Sequence, residues 1–148
     1  FVPRATTAAK RAAERAGHDL DVREVNLLSL RSTFAEGARL ARLSGPRTIV
    51  ANHLADATVA SGRAGAWRLC EMALRDGGRL YTDFWAGATL DRDDAQLVAA
   101  VPTEVVVAEL EERGAVIVHR EETQVETSSR TGGSTRRTRA RLVAQWQR

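Results

Sequence analysis

The stretch from Arg47 to Trp85, RTIVANHLADATVASGRAGAWRLCEMALRDGGRLYTDFW, decides the fold of this chain. A short apolar run, Thr48–Ala51, leads into the polar pair Asn52–His53 and then into a segment with helical periodicity. That segment stops at Asp76–Gly78, where a second extended run begins. The pattern predicts a βαβ unit of an α/β fold. Its polar pair stands at the carboxyl end of a strand, where parallel sheets bind their ligands.

Two motifs in this stretch resemble class I S-adenosylmethionine-dependent methyltransferases. Leu74–Leu80, LRDGGRL, matches a L-x-x-G-G-x-L turn between a helix and the next strand. Asn52–Ala57, NHLADA, is similar to a signature of an actinobacterial branch of that family. The resemblance covers the C-terminal two-thirds of the family's fold, without its N-terminal glycine-rich motif. It implies S-adenosyl-L-methionine as the cofactor and methyl transfer by a longer parent enzyme.

The composition describes one soluble globular domain. The chain has 148 residues, 43% of them hydrophobic and 28% charged, which is enough for a real core. The sequence has no apolar run of membrane-spanning length and no signal-peptide pattern, and Cys70 is its one cysteine, expected to be a buried structural thiol. These features predict a cytoplasmic protein with no membrane partner. The first residue, Phe1, suggests a fragment.

The sequence predicts an alternating order of helices and strands that ends in a β-hairpin. Helices are expected on both faces of the sheet, and the first, from Pro3, has a face of small alanines suited to pack on it. The family resemblance implies a Rossmann-like methyltransferase sheet, incomplete at its N-terminal side, forming a single partial domain over residues 1–148. The strands are expected at Asp21–Val25, Thr48–Ala51, Arg79–Trp85, Ala115–His119 and Leu142–Trp146, with the last strand antiparallel to its neighbours.

The basic residues concentrate near the C-terminus. Residues 123–139 consist largely of Ser, Thr, Gly and Arg, and this composition favours a mobile loop. The cluster Arg136–Arg139 could contact phosphates, but no aromatic residues are interleaved with it. A solvated loop is the favoured interpretation, and nucleic acid is not expected as a partner.

The resemblance assigns the candidate cofactor-binding residues. In the family, the segment matching Asn26–Leu27 lies beside the adenine, although Asn is also common in a plain strand-ending turn. Ala51, Asn52 and His53 follow the middle strand, close to the position of the methyl group. His53 is the candidate catalytic residue, as a general base, while capping of the next helix or packing on the cofactor is the alternative. No spacing of His, Cys or Asp indicates a metal site.

Two classes of function stay open on the sequence. The first is a methyltransferase acting on an unidentified acceptor, either a small molecule or a glycan. The second is a non-catalytic remnant or binding module with the same half-fold, and a weaker third is a nucleic-acid binder. The family's glycine loop and acidic strand end are absent, so the chain alone is expected to bind the cofactor weakly and to self-associate through exposed strand edges.

Overall fold

The computed structural model of the chain describes residues 3–87, 100–128 and 134–147. These ranges contain five helices and four strands. In chain order they are α1 (Pro3–Arg15), α2 (Leu30–Ala41), β1 (Thr48–Asn52), α3 (Leu54–Ala57), α4 (Ala60–Leu74), β2 (Arg79–Ala86), α5 (Thr103–Glu111), β3 (Ala115–Ser128) and β4 (Ser134–Trp146).

The four strands form one mixed sheet in the order β1-β2-β4-β3. β1 and β2 are parallel and are joined by α3 and α4, so the predicted βαβ unit is confirmed. β4 lies antiparallel between β2 and β3. The expected α/β fold with a closing antiparallel hairpin is therefore correct.

The core lies between one face of the sheet and the helices that follow β1 and β2. Alternate strand residues such as Leu80 and Phe84 are fully buried, together with Trp67 and Leu74 of α4. On the opposite face Val50 remains 65% exposed. The expectation of helices on both faces is thus not met within the described residues.

An ionic cluster joins the two helices that cover the core. The Arg63 guanidinium on α4 donates to both carboxylate oxygens of Glu109 on α5, at 2.8 to 3.2 Å. The indole N–H of Trp67 donates to the same carboxylate at 2.8 Å. Since Arg63 is 8% exposed and Trp67 is fully buried, Glu109 is the group that makes both of these donors tolerable in the interior.

The first part of the chain departs from the sequence prediction. Asp21–Val25 alternates polar and apolar residues like a strand, but it has no regular structure. A strand exists through hydrogen bonds to a neighbouring strand, and the described partner of β1 is β2 alone. The predicted packing of the α1 alanines on the sheet is also wrong, because Ala8 and Ala12 are exposed.

The prediction of a mobile loop at residues 123–139 is also wrong. Thr123–Ser128 continues β3, and Ser134–Arg139 begins β4, with Thr123 paired to Arg139. Polar cross-strand contacts sustain this ribbon: the side-chain amide of Gln124, for example, donates to the Thr138 hydroxyl at 2.8 Å. Residues 129–133 lie outside the described residues, as does most of the loop expected at 87–100.

Candidate active site

The chain turns sharply where β1 ends. His53 follows Asn52, the last residue of β1, with a left-handed backbone conformation at φ 53°. Its N–H donates to the carbonyl oxygen of Asp83 on β2 at 2.8 Å, which fixes the turn against the sheet. Left-handed backbone is uncommon for a residue with a side chain and is found disproportionately at functional sites. The turn therefore places the His53 ring at the carboxyl edge of the parallel strands.

A buried carboxylate holds that ring. Asp56 of α3 is 2% exposed, and its Oδ2 lies 3.0 Å from His53 Nδ1. The same oxygen accepts the backbone N–H of Trp85 on β2 at 2.9 Å. The indole of Trp85 packs beside the His53 ring, with 5.4 Å between the ring centroids. Asp56 thus ties the histidine, its own short helix and β2 together at one point.

Two arginines of β4 reach the same edge. Arg139 pairs with the carboxylate of Asp83, which is 7% exposed. The Arg137 guanidinium carbon lies 4.5 Å from the centre of the Trp85 ring, a cation–π contact. Sequence analysis placed both arginines in a solvated loop. The residues around them, Ser134–Arg139, are all polar, so no alternation of apolar and polar residues signalled a strand.

Several buried polar atoms at this edge have no hydrogen-bond partner among the described residues. They are Asp56 Oδ1, Asp83 Oδ1 and Arg139 Nε. Buried polar atoms are nearly always paired, and an unpaired one costs about 1–3 kcal/mol, so three in one place indicate a site that takes water or a polar ligand.

An open groove of about 230 Å³ has Asp83, one of these three residues, in its lining. Its lining comes from the end of β1 and from inner positions of β2, β3 and β4: Asn52, Tyr81, Thr82, Asp83, His119, Arg141, Leu142 and Val143. A larger hollow, about 420 Å³, lies along α1 alone and gathers no groups suited to chemistry. The groove is therefore the better candidate for a ligand.

The three predicted residues at the end of β1, Ala51, Asn52 and His53, differ in whether a ligand could reach them. Asn52 lines the groove, and His53 adjoins it through the backbone hydrogen bond to Asp83. Ala51 is 8% exposed, and its carbonyl oxygen accepts the Thr82 hydroxyl at 2.9 Å. Ala51 therefore offers neither its side chain nor a free carbonyl to a ligand.

Asn26 and Leu27 form a turn instead of a strand end. Asn26 Oδ1 accepts the Leu28 N–H at 3.0 Å, and the Asn26 carbonyl accepts the Ser29 N–H at 3.0 Å. The Leu27 carbonyl lies 2.1 Å from the place a Cβ would take on Gly65, so this turn is seated on α4. The hydrogen bonds and ion pairs of the described residues do not join it to Asn52 or His53. Their convergence on one ligand stays a prediction.

Within residues 3–87, 100–128 and 134–147, no group of three His, Cys, Asp or Glu side chains could hold a metal ion. In the same ranges, no helix is both long enough and apolar enough to cross a membrane.

Comparison with known proteins identifies the fold. No family model and no curated protein matches the sequence. Solved structures do match. A SAM-dependent methyltransferase from Anabaena variabilis superposes with a TM-score of 0.65 at 12% identity, over 95% of this chain and 64% of that one. A SAM-dependent methyltransferase from Methanosarcina mazei superposes with a TM-score of 0.62 at 15% identity, over 99% of this chain and 79% of that one. The chain has the Rossmann-like fold of class I methyltransferases.

The relative lengths of the matched chains bear on how far this likeness extends. TehB from Haemophilus influenzae matches with a TM-score of 0.66 at 11% identity, over 98% of this chain but 47% of its own. The chain spans about half to two thirds of the length of several structures it matches. At these identities the likeness concerns the fold and leaves the chemistry to be argued from the site.

Proposed function

We propose that this chain is the substrate-side part of an S-adenosylmethionine-dependent methyltransferase. The observation that carries the proposal is the polar cluster of His53, Asp56, Asp83 and Arg139, with its unpaired buried atoms, at the carboxyl edge of β1 and β2. Ligands of open α/β sheets bind at this edge. The fold shared with solved methyltransferases makes S-adenosyl-L-methionine the candidate ligand.

The residues present fit part of this cofactor. Asn52 lines the groove, and His53, the next residue, keeps Nε2 as its remaining polar ring atom because Nδ1 faces Asp56. Asn26 Oδ1 already accepts one N–H, but a carbonyl oxygen has a second lone pair that an adenine amine could use. Ala51, buried within β1, would act only by holding Asn52 in place. Because pockets that enclose a whole ligand usually measure about 300–1,000 Å³, a groove of about 230 Å³ would hold a portion of it.

The chemistry follows from the groups at this edge. S-adenosylmethionine, when bound, supplies an electrophilic methyl group on a sulfonium sulfur. His53 would serve as the general base for an acceptor, which we expect to be a small molecule or a glycan. The actinobacterial branch, the cytoplasmic location and the longer parent enzyme belong to the same proposal.

The alternatives receive less support from the site. A nucleic-acid binder would need free arginines, but Arg136 and Arg141 lie within 3.6 Å of Glu126 and Glu121, and Arg139 pairs with Asp83. In a non-catalytic module of the same half-fold, Asp56 would serve only its structural hydrogen bond to the Trp85 N–H, and its contact with the partly exposed His53 ring would have no role. The enzyme hypothesis accounts for that pairing.

Calorimetric titration tests the proposal. S-adenosylmethionine is titrated into residues 1–148 and into the chain extended by its native upstream residues, with ATP as a control that shares the adenosine. We expect Kd no tighter than about 1 mM, or roughly −4 kcal/mol, for residues 1–148, and at least a hundredfold tighter binding for the extended chain. Binding by neither chain, or equal binding of ATP, would refute the proposal. Submicromolar binding by residues 1–148 would refute the partial site.

A further inference from the structure

We propose that Asp56 is a positioning residue that holds His53 in one tautomer, with Nε2 as the proton acceptor of the site. This inference rests on the proposed function for its chemical meaning, but its geometry and its test do not require the cofactor. It also defines the acceptor: a base at this place is useful to a hydroxyl or amine nucleophile that must lose a proton.

Asp56 is held rigidly enough to position another group. Its side chain is fully buried, and its Oδ2 accepts from two directions, from His53 on the preceding turn and from the Trp85 backbone on β2. The Trp85 N–H belongs to β2, so the carboxylate cannot move without breaking a hydrogen bond to the sheet. The histidine ring is therefore oriented relative to the sheet and not merely to its own turn.

The contact selects the tautomer of His53. An ionised carboxylate only accepts hydrogen bonds, so the ring nitrogen that faces Asp56 Oδ2, Nδ1, carries the hydrogen. In the neutral ring Nε2 then has the free lone pair. The side chain is 39% exposed, which leaves the ring open to a substrate.

The turn geometry supports a functional origin of the arrangement. His53 stands in a left-handed conformation, which a glycine would adopt with less strain. A glycine at this position would preserve the turn and the backbone hydrogen bond to Asp83. What it would lose is the imidazole, in contact with Asp56 and Trp85.

The proton transfer balances on these groups. The acceptor's oxygen or nitrogen forms its new bond to the methyl carbon, the carbon–sulfur electron pair stays on sulfur, and the acceptor's proton moves to His53 Nε2. The resulting imidazolium donates from Nδ1 to the Asp56 carboxylate, whose charge stabilises it. Asp56 itself takes no proton.

Nitrogen-15 NMR on the full chain tests this directly. Long-range proton–nitrogen correlations, recorded about two pH units above the ordinary histidine pKa, report which ring nitrogen carries the hydrogen. We expect wild-type His53 to be almost entirely the Nδ1–H tautomer. His18 and His119, whose imidazole rings form no hydrogen bond within the described residues, serve as internal references. In Asp56→Ala the tautomer ratio of His53 should shift by roughly tenfold or more toward that of the references, because a charge-assisted hydrogen bond is lost.

A second variant keeps the test independent of folding. Asp56→Asn retains the shape and an oxygen for the Trp85 N–H but loses the charge, so we expect a smaller shift in the same direction. Diethyl pyrocarbonate, which modifies an unprotonated ring nitrogen, should modify wild-type His53 at Nε2, whereas in Asp56→Ala Nδ1 should react as well, and the nitrogen-15 spectra of the adducts distinguish the two positions. A wild-type tautomer ratio equal to the references, or an unchanged ratio in Asp56→Ala with the sheet resonances intact, would overturn the proposal. Since neither measurement uses S-adenosylmethionine, failure here is distinct from failure of the cofactor titration.

Discussion

The stability of the domain should depend strongly on Glu109, the carboxylate between α4 and α5. Glu109→Ala removes the carboxylate that accepts hydrogen bonds from both Arg63 and Trp67. The guanidinium keeps one other acceptor, the Thr58 carbonyl at 3.3 Å, and the indole N–H keeps none among the described residues. The variant therefore leaves a charge and a donor in the interior with too few partners.

The size of the effect follows from burial. Removing one partner of a buried ion pair costs about 3–5 kcal/mol, mostly from the stranded charge. Because the Glu109 side chain is 23% exposed, water can reach part of the gap, which favours the low end of that range. An unpaired indole N–H adds about 1 kcal/mol. We expect the free energy of unfolding to fall by about 4 kcal/mol, a large share of the 5–15 kcal/mol typical of a domain.

Urea denaturation followed by circular dichroism measures this loss. Glu111→Ala is the matched control, since Glu111 lies on the same helix, is exposed and forms no ion pair within the described residues. It should change the unfolding free energy by no more than about 0.5 kcal/mol. The double variant Arg63→Met, Glu109→Ala should lose less than the sum of the single variants, because no charge is then stranded. A Glu109→Ala protein within about 1 kcal/mol of the control would refute this reasoning.

Two further predictions concern α4. Gly65→Ala should destabilise the domain by about 1–2 kcal/mol, because the clash with the Leu27 backbone exceeds the gain of about 1 kcal/mol in helix propensity. Gly37→Ala is the control: the added methyl group meets the side chain of Met72, whose flexible end can shift, so the change in stability should be near zero. Equal urea midpoints for the two variants would contradict this prediction. Burial raises the pKa of the Cys70 thiol to about 12. A thiol reagent at neutral pH should therefore label Cys70 only when the chain unfolds. Rapid labelling of the folded chain would show that Cys70 does not lie in the core.

The βαβ unit could be predicted from the sequence because short local motifs mark where its strands begin and end. The glycine pair before Arg79 and the polar pair after Ala51 mark both ends of the βαβ unit, and the structure has β1 and β2 within one residue of the predicted bounds. Asp21–Val25 carries an equally good local pattern and is not a strand. Periodicity describes what a segment could bury, but the hydrogen bonds of a strand come from a neighbour that the segment itself does not encode.

The β3–β4 ribbon shows the opposite failure. Its outer half has too few apolar residues to register as strand, yet Gln124 and Thr138 hydrogen-bond across it. Composition measures the tendency to form a core. A two-stranded extension of an already formed hairpin needs cross-strand polar pairs instead, and these become visible only once the register is known.

The candidate site depends both on local sequence pattern and on contacts between distant segments. The sequence indicated His53 because residues that follow parallel strands collect at one edge of a sheet. Asp56, three residues later, belongs to the same local motif, but its role depends on the left-handed turn that brings α3 back to the Trp85 backbone. His53 and Asp56 are only three residues apart, but the sequence does not specify the left-handed turn at His53 that brings their side chains together.

The other half of the site comes from far along the chain. Arg139 is 56 positions from Asp83, and the antiparallel insertion of β4 beside β2 brings them together. The cluster therefore contains a histidine and two carboxylates from the βαβ unit and a guanidinium from the hairpin. A loosened hairpin would leave Asp83 buried without its cation, next to the backbone that holds the His53 turn. The hairpin thus contributes to the electrostatics of the edge as well as to the sheet, which explains why its arginines lie in strand register and not in a solvated loop.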